Sequence, residues 1–190
     1  DAPWVPRVKA QPLALSLAER LDAMPQPVIG ISVAASSPLK RWPAERFAEL
    51  MRRIHMAYGA SVVVLSGPAP TPGPIAQRLE KVPGLEVGAL HLQQVAAVLA
   101  RCRVLVCNDT GLMHLAAAVG TPSLAIFGPT DPRLYLPRGS RAIGPAVPEC
   151  PVRLHDMFGP PECVLRQQCL VDSSGSGGCI AQVPVSQVEK

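Results

Sequence analysis

The sequence predicts an α/β fold built on a buried parallel sheet, and three observations lead there. Residues 28–33, 61–65, 104–107 and 123–127 are short apolar runs without polar alternation, the mark of strands covered on both faces. The segments between them place apolar residues at helical spacing. Several runs end in polar turns rich in Gly, Pro, Ser and Asp, and an open α/β sheet takes its ligands there, outside the carboxyl ends of its strands. Of the 190 residues 48% are hydrophobic, enough to fill one well-packed domain with a small tail.

Residues 1–12, with Pro3, Pro6 and Pro12, read as an extended lead-in or linker. Leu13, Leu17 and Leu21, with Glu19, Arg20 and Asp22 opposite, predict an amphipathic helix over 13–24 that Pro25 and Pro27 end. The first strand, 28–33, leads into a small polar loop, 34–39. Pro43 suits the first helical position of the next helix, and Phe47, Leu50, Met51 and Ile54 form its buried stripe. The second strand, 61–65, exits through residues 66–74, too proline-rich for regular structure. A helix near 75–81, a short strand near 85–87 and a helix over 92–101 follow, the last with Val95 and Leu99 inward.

The centre of the chain is residues 104–122: a buried strand, the polar break Asn108-Asp109-Thr110-Gly111, then an alanine-rich helix starting at Thr110 or Gly111. Gly120 stops that helix and Pro122 prevents its resumption. The strand 123–127 ends in Gly128-Pro129-Thr130-Asp131-Pro132. Residues 140–144 read as a last edge strand, and 184–190 as the start of a helix. The expected division is a lead-in, 1–12, a nucleotide-sugar-binding domain, 13–148, and a Cys-containing tail, 149–190, packed on or trailing it, with the stretch 173–178 read as flexible.

Composition narrows the function. A net charge of +4 fits an anionic ligand and weakly an anionic membrane surface, while aromatics at 4% and the lack of a basic-aromatic stripe argue against nucleic acid. There is no apolar run of 18 or more residues and no signal-peptide pattern, and the start at Asp1 reads as an excised fragment. Cys102 and Cys107 read as core thiols. Cys150, Cys163, Cys169 and Cys179 match no usual zinc spacing and read as reduced or opportunistically paired thiols. A nucleotide-binding α/β chain of this kind is expected in the cytosol.

No Gly-x-Gly-x-x-Gly follows a strand, no Gly-Lys-Ser/Thr of the P-loop type occurs, and Ser174-Gly175-Ser176-Gly177 lacks the spacing of a nucleophile elbow. With no Asp-x-Asp to hold a divalent cation, a bound diphosphate must be neutralised by side chains and helix amides. The helix opening at Thr110 or Gly111 offers such amides, and Gly111 has no side chain to block approach. Lys40, after the first strand, could add its charge and Ser36 a hydroxyl; a solvated lysine is an equal reading of Lys40. Asp109 could accept sugar hydroxyls or cap the helix, and the two are compatible. His114 reads equally as a core histidine or as a donor to a sugar. Trp42 reads as packing, and Asp131 as a turn former.

The stretch Ser36-Ser37-Pro38-Leu39-Lys40-Arg41-Trp42-Pro43-Ala44-Glu45-Arg46-Phe47, the run from Asn108 to Ala118, and Phe127-Gly128-Pro129-Thr130-Asp131-Pro132 together resemble glycosyltransferase family 9, the lipopolysaccharide heptosyltransferases and their relatives. The tail from Cys179 to Val185 resembles that family's C-terminus. The resemblance implies the C-terminal, donor-binding half of a GT-B enzyme, a Rossmann-like three-layer parallel sheet facing an acceptor half this chain lacks. It implies inverting, metal-independent transfer from ADP-heptose or a similar donor to a lipopolysaccharide core acceptor, with no cofactor and with peripheral contact at the inner membrane. In the family an acceptor-half carboxylate is the base, so no catalytic residue is expected in this chain and none of the transfer activity. Matched residue by residue, Lys40 and Ser36 would hold the donor phosphates and Asp109 the heptose hydroxyls; Thr110, Gly111, Leu112 and His114 would line the sugar-diphosphate mouth. Two positions depart from the family pattern: Ala35 replaces a hydroxyl residue, and Pro70 stands where a Glu holds the ribose. They leave open another GT-B nucleotide-sugar enzyme of epimerase type, or a non-catalytic domain that has lost its donor.

Overall fold

The computed structural model describes residues 7–67, 70–145, 161–171 and 178–189. The expectations for Cys150 and for nearly all of the stretch 173–178 lie outside the described residues. In chain order the elements are α1 (Leu15–Asp22), β1 (Val28–Ser32), a 3₁₀ turn (Pro38–Lys40), α2 (Ala44–Tyr58), β2 (Ser61–Leu65), α3 (Gly73–Leu79), β3 (Gly84–Val87) and α4 (Leu92–Leu99). Then come β4 (Val104–Asn108), α5 (Gly111–Ala118), β5 (Ser123–Ile126), α6 (Pro132–Tyr135), β6 (Arg141–Ile143), α7 (Glu162–Leu165), a second 3₁₀ turn (Gly178–Gln182) and α8 (Val185–Val188).

The strands form one parallel sheet in the order β3-β2-β1-β4-β5-β6. This is the Rossmann order, and the predicted α/β three-layer class is the observed one. Every residue of β1 and β2 is buried, as the unbroken apolar runs require. On one face Phe47, Leu50, Met51 and Ile54 of α2 pack over Ile29, Ile31, Val62 and Val64, with Ile75 of α3 beside them. On the other face Leu21, Val98, Leu99, Met113 and Ala116, from α1, α4 and α5, cover Val28, Val63, Leu105 and Cys107.

Several departures from the sequence reading concern helices: α3 begins at Gly73, inside the stretch 66–74 expected to lack regular structure. Pro43 is the N-cap of α2 rather than its first residue, with φ −54° and ψ 137°, and the segment before it tightens into the turn Pro38–Lys40 instead of a plain loop. The four residues after Asp131 form the short helix α6, where no helix is predicted from the sequence. The described residues nearest both ends are knitted into the domain. Val8 N–H donates to the Ala118 carbonyl (3.3 Å) and Gln11 N–H to that of Gln93 (3.1 Å), so residues 8–11 lie along α5 and α4. In the tail, Ile180 and Val183 are fully buried in the α2-side core, and the Val183 carbonyl accepts from Trp42 Nε1 at 2.9 Å and from Arg46. Among the described residues no helix is long and apolar enough to cross a membrane.

Candidate functional site

Strand order places the site. The chain leaves β1 toward β2 and β3, then crosses back to add β4 on the other side, so the loops after β1 and β4 diverge and open a crevice between them. Asn108, fully buried at the end of β4, holds the crevice in shape: its Oδ1 accepts from Trp42 N–H at 3.0 Å and its Nδ2 donates to the Val33 carbonyl at 2.8 Å. Trp42 is 2% exposed and meets Phe47 edge-on at 4.9 Å, so it packs, as expected, and the turn carrying Lys40 is anchored from both ends.

Lys40 Nζ lies 2.7 Å from Asp109 Oδ2, joining residues 69 positions apart; their side chains are 15% and 6% exposed. Thr130 Oγ1, from the loop after β5, donates to the same Oδ2 at 2.7 Å. The solvated-lysine reading of Lys40 is therefore set aside. An ammonium has three N–H bonds, so one given to Asp109 leaves two for a ligand. The Tyr135 ring on α6 stands with its centroid 6.0 Å from Nζ. Asp109 is not the helix cap: Thr110 is, with Oγ1 accepting from Leu112 N–H at 3.3 Å. The Met113 amide reaches the Thr110 carbonyl at 3.2 Å, so the exposed Gly111 supplies the amide a ligand would meet first.

Ser36, Thr110, Gly111, Leu112 and His114 all line one cavity of about 680 Å³ between the loop after β1 and the start of α5. His114 is exposed there rather than buried in the core. A Cβ on Gly111 would meet nothing within 4 Å, so the space above its backbone is open to a ligand. The floor includes Ser32, fully buried, whose hydroxyl has no hydrogen-bond partner among the described residues. A buried orphan of this kind marks a place where a ligand or water belongs. Lys40 and Asp109 do not line this cavity; they form their own pair where Asp109 adjoins Thr110 in the chain.

The sequence reading missed Thr130 and the work of Asn108. Thr130 is 2% exposed although it sits among prolines in a turn, and only its contact with Asp109, 21 positions away, reveals its place. Asp131, expected to form a turn, is instead the N-cap of α6, its carboxylate accepting from Arg133 N–H at 2.9 Å. At the exit of β2, Pro70 is exposed, and in the same loop Thr71 Oγ1 donates to Glu86 at 2.5 Å. Burial, with a smaller contribution from the Asp109 carboxylate, pushes the Cys107 thiol up to about 12, and burial does the same to Cys102.

The family model of glycosyltransferase family 9 (heptosyltransferase) matches residues 7–149. The lipooligosaccharide heptosyltransferase 2 of Haemophilus influenzae is 34% identical over 123 residues, which are 62% of this chain and 36% of that protein. The lipopolysaccharide heptosyltransferase 1 of Pseudomonas aeruginosa is 42% identical over 96 residues, 49% of this chain and 26% of that one. Among solved structures, the E. coli ADP-heptose lps heptosyltransferase II superposes with a TM-score of 0.57 at 25% identity, covering 83% of this chain and 51% of that one. The E. coli heptosyltransferase WaaC with ADP gives 0.55 at 26% identity, over 66% and 41%. The chain thus spans little more than a third of the length of the Haemophilus relative.

Proposed function

Because the chain belongs to glycosyltransferase family 9, we propose that it forms the donor-binding half of a GT-B heptosyltransferase of lipopolysaccharide core synthesis, with ADP-heptose as donor. The observation that carries this reading is the Lys40–Asp109 pair at the switch point of the sheet, next to the cavity that Ser36, Thr110, Gly111, Leu112 and His114 line. It joins a cation suited to a diphosphate with a carboxylate suited to sugar hydroxyls, beside open backbone at the mouth of α5. The relatives are heptosyltransferases, and one of the similar structures holds ADP.

In this reading Lys40 turns its remaining N–H bonds to the diphosphate, with Ser36 and the Gly111 amide completing the cradle. Asp109 accepts from the heptose hydroxyls, while Leu112 and His114 border the sugar. The acceptor half of the whole enzyme brings a carboxylate that takes the proton of the acceptor hydroxyl. That oxygen attacks the anomeric carbon from the face opposite the diphosphate, the bond to the ADP oxygen breaks, and the configuration inverts. The negative charge growing on the departing diphosphate meets the ammonium and the helix amide in place, without a metal ion. The cytosolic location and the peripheral inner-membrane contact belong to this proposal, in keeping with the nucleotide-sugar chemistry and the net charge of +4.

Calorimetric titration of this chain with ADP and ADP-heptose, with magnesium and with EDTA, tests the reading. Saturable binding is expected in both media, weakened by Lys40→Ala, with Asp109→Asn reducing the preference for ADP-heptose over ADP. Alone the chain should catalyse no transfer. No nucleotide binding at millimolar concentration refutes the donor site, and binding only with magnesium refutes the metal-free neutralisation.

A further inference from the structure

The loop after β5 contributes a side chain, Thr130, to which the sequence reading gave no role although it lies in the stretch Phe127–Pro132. Thr130 is 2% exposed, and its Oγ1 stands 2.7 Å from Asp109 Oδ2, the same oxygen that receives Lys40 Nζ at 2.7 Å. An ionised carboxylate only accepts, so the hydroxyl must donate. Two donors converging on one oxygen from different loops fix both the rotation of the carboxylate and the identity of its occupied oxygen. The loop itself is held: Asp131, the next residue, caps α6, and a Cβ on Gly128 would already crowd the Leu39 carbonyl oxygen at 3.0 Å.

We propose that Thr130 is a positioning residue for donor recognition: by engaging Oδ2 together with Lys40, it turns Oδ1 of Asp109 toward the sugar of the bound donor. This rests on the donor-site reading given above. While Lys40 shares its ammonium between Asp109 and the diphosphate, Thr130 keeps its own bond to Oδ2, because its hydroxyl is buried and its loop is capped.

The test is calorimetry on the whole chain, comparing affinity for ADP-heptose with affinity for ADP in the wild type, Thr130→Val, Thr130→Ser and Asp109→Asn, with thermal melting of each. Thr130→Val keeps the shape and removes the donor. It should weaken ADP-heptose roughly tenfold, the usual worth of a hydrogen bond to a charged group, and leave ADP within about twofold. Thr130→Ser should restore the preference, an outcome that loss of packing alone would not produce. If Thr130→Val melts before it can be titrated, Thr130→Cys keeps the volume with a weaker donor and should lose part of the preference. Equal weakening of both ligands, or no change in either, overturns the inference. If Asp109→Asn leaves the ADP-heptose preference intact, the donor reading of Asp109 fails first, and that arm separates the two failures.

Discussion

Lys40→Met asks how much the central ion pair contributes to the fold. Nζ and Oδ2 are 2.7 Å apart, so at an effective dielectric of ~20 their attraction is about 6 kcal/mol before desolvation is charged against it. Methionine keeps the length of the side chain and removes the charge. Asp109, with 6% of its side chain exposed, is then left with Thr130 as its donor and with no cation to offset its lost hydration. Breaking a fully buried pair costs about 3–5 kcal/mol. Lys40 is 15% exposed and water can enter where it stood, so we expect about 2–3 kcal/mol. In urea the midpoint should fall with the slope unchanged, and the melting temperature should drop by about 4–12 °C. The double variant Lys40→Met/Asp109→Asn carries no stranded charge and should recover at least half of the loss. A single-variant cost below about 0.5 kcal/mol, or a double variant no more stable than the single one, would refute the reasoning and reduce the pair to a surface contact.

Gly128→Ala should cost about 1–3 kcal/mol, because the new methyl meets the Leu39 carbonyl oxygen and Ile180 Cβ, both at 3.0 Å, and neither is a flexible side-chain end. It should also lower ADP affinity, since Leu39 precedes Lys40 in the same turn; unchanged urea stability or unchanged affinity contradicts this. Cys102 and Cys107, both raised to about 12 by burial, hold about one thiolate in ten thousand at pH 8. Mass-spectrometric mapping after iodoacetamide treatment should find neither labelled in the native chain and both labelled in urea. Native labelling of either would show that the β4 side of the core opens.

The strands were legible because burial on both faces demands unbroken apolar runs, and such runs are visible without any partner. The stripe Phe47, Leu50, Met51 and Ile54 was legible for the same reason: one helix face suffices to display it. The tail was harder to read. Ile180 and Val183 are fully buried, yet they follow a Gly- and Ser-rich stretch with no periodicity of its own, and only the core that Trp42 and α2 form gives them a place.

By itself, the sequence determined the parallel α/β class, the polar break after β4 and the presence of a lysine after β1 that could meet an anion. Each follows from patterns within a dozen residues, because secondary structure answers to local periodicity and to the conformational limits of Gly and Pro. The tertiary structure decided which of two adjacent polar residues caps α5. Asp109 and Thr110 are both able caps, but a cation from 69 positions away and a hydroxyl from 21 positions away engage the Asp109 carboxylate, and the cap is Thr110. Such pairings depend on where the loops of three neighbouring strands converge, and strand order is a property of the packed sheet that no stretch of the chain carries alone.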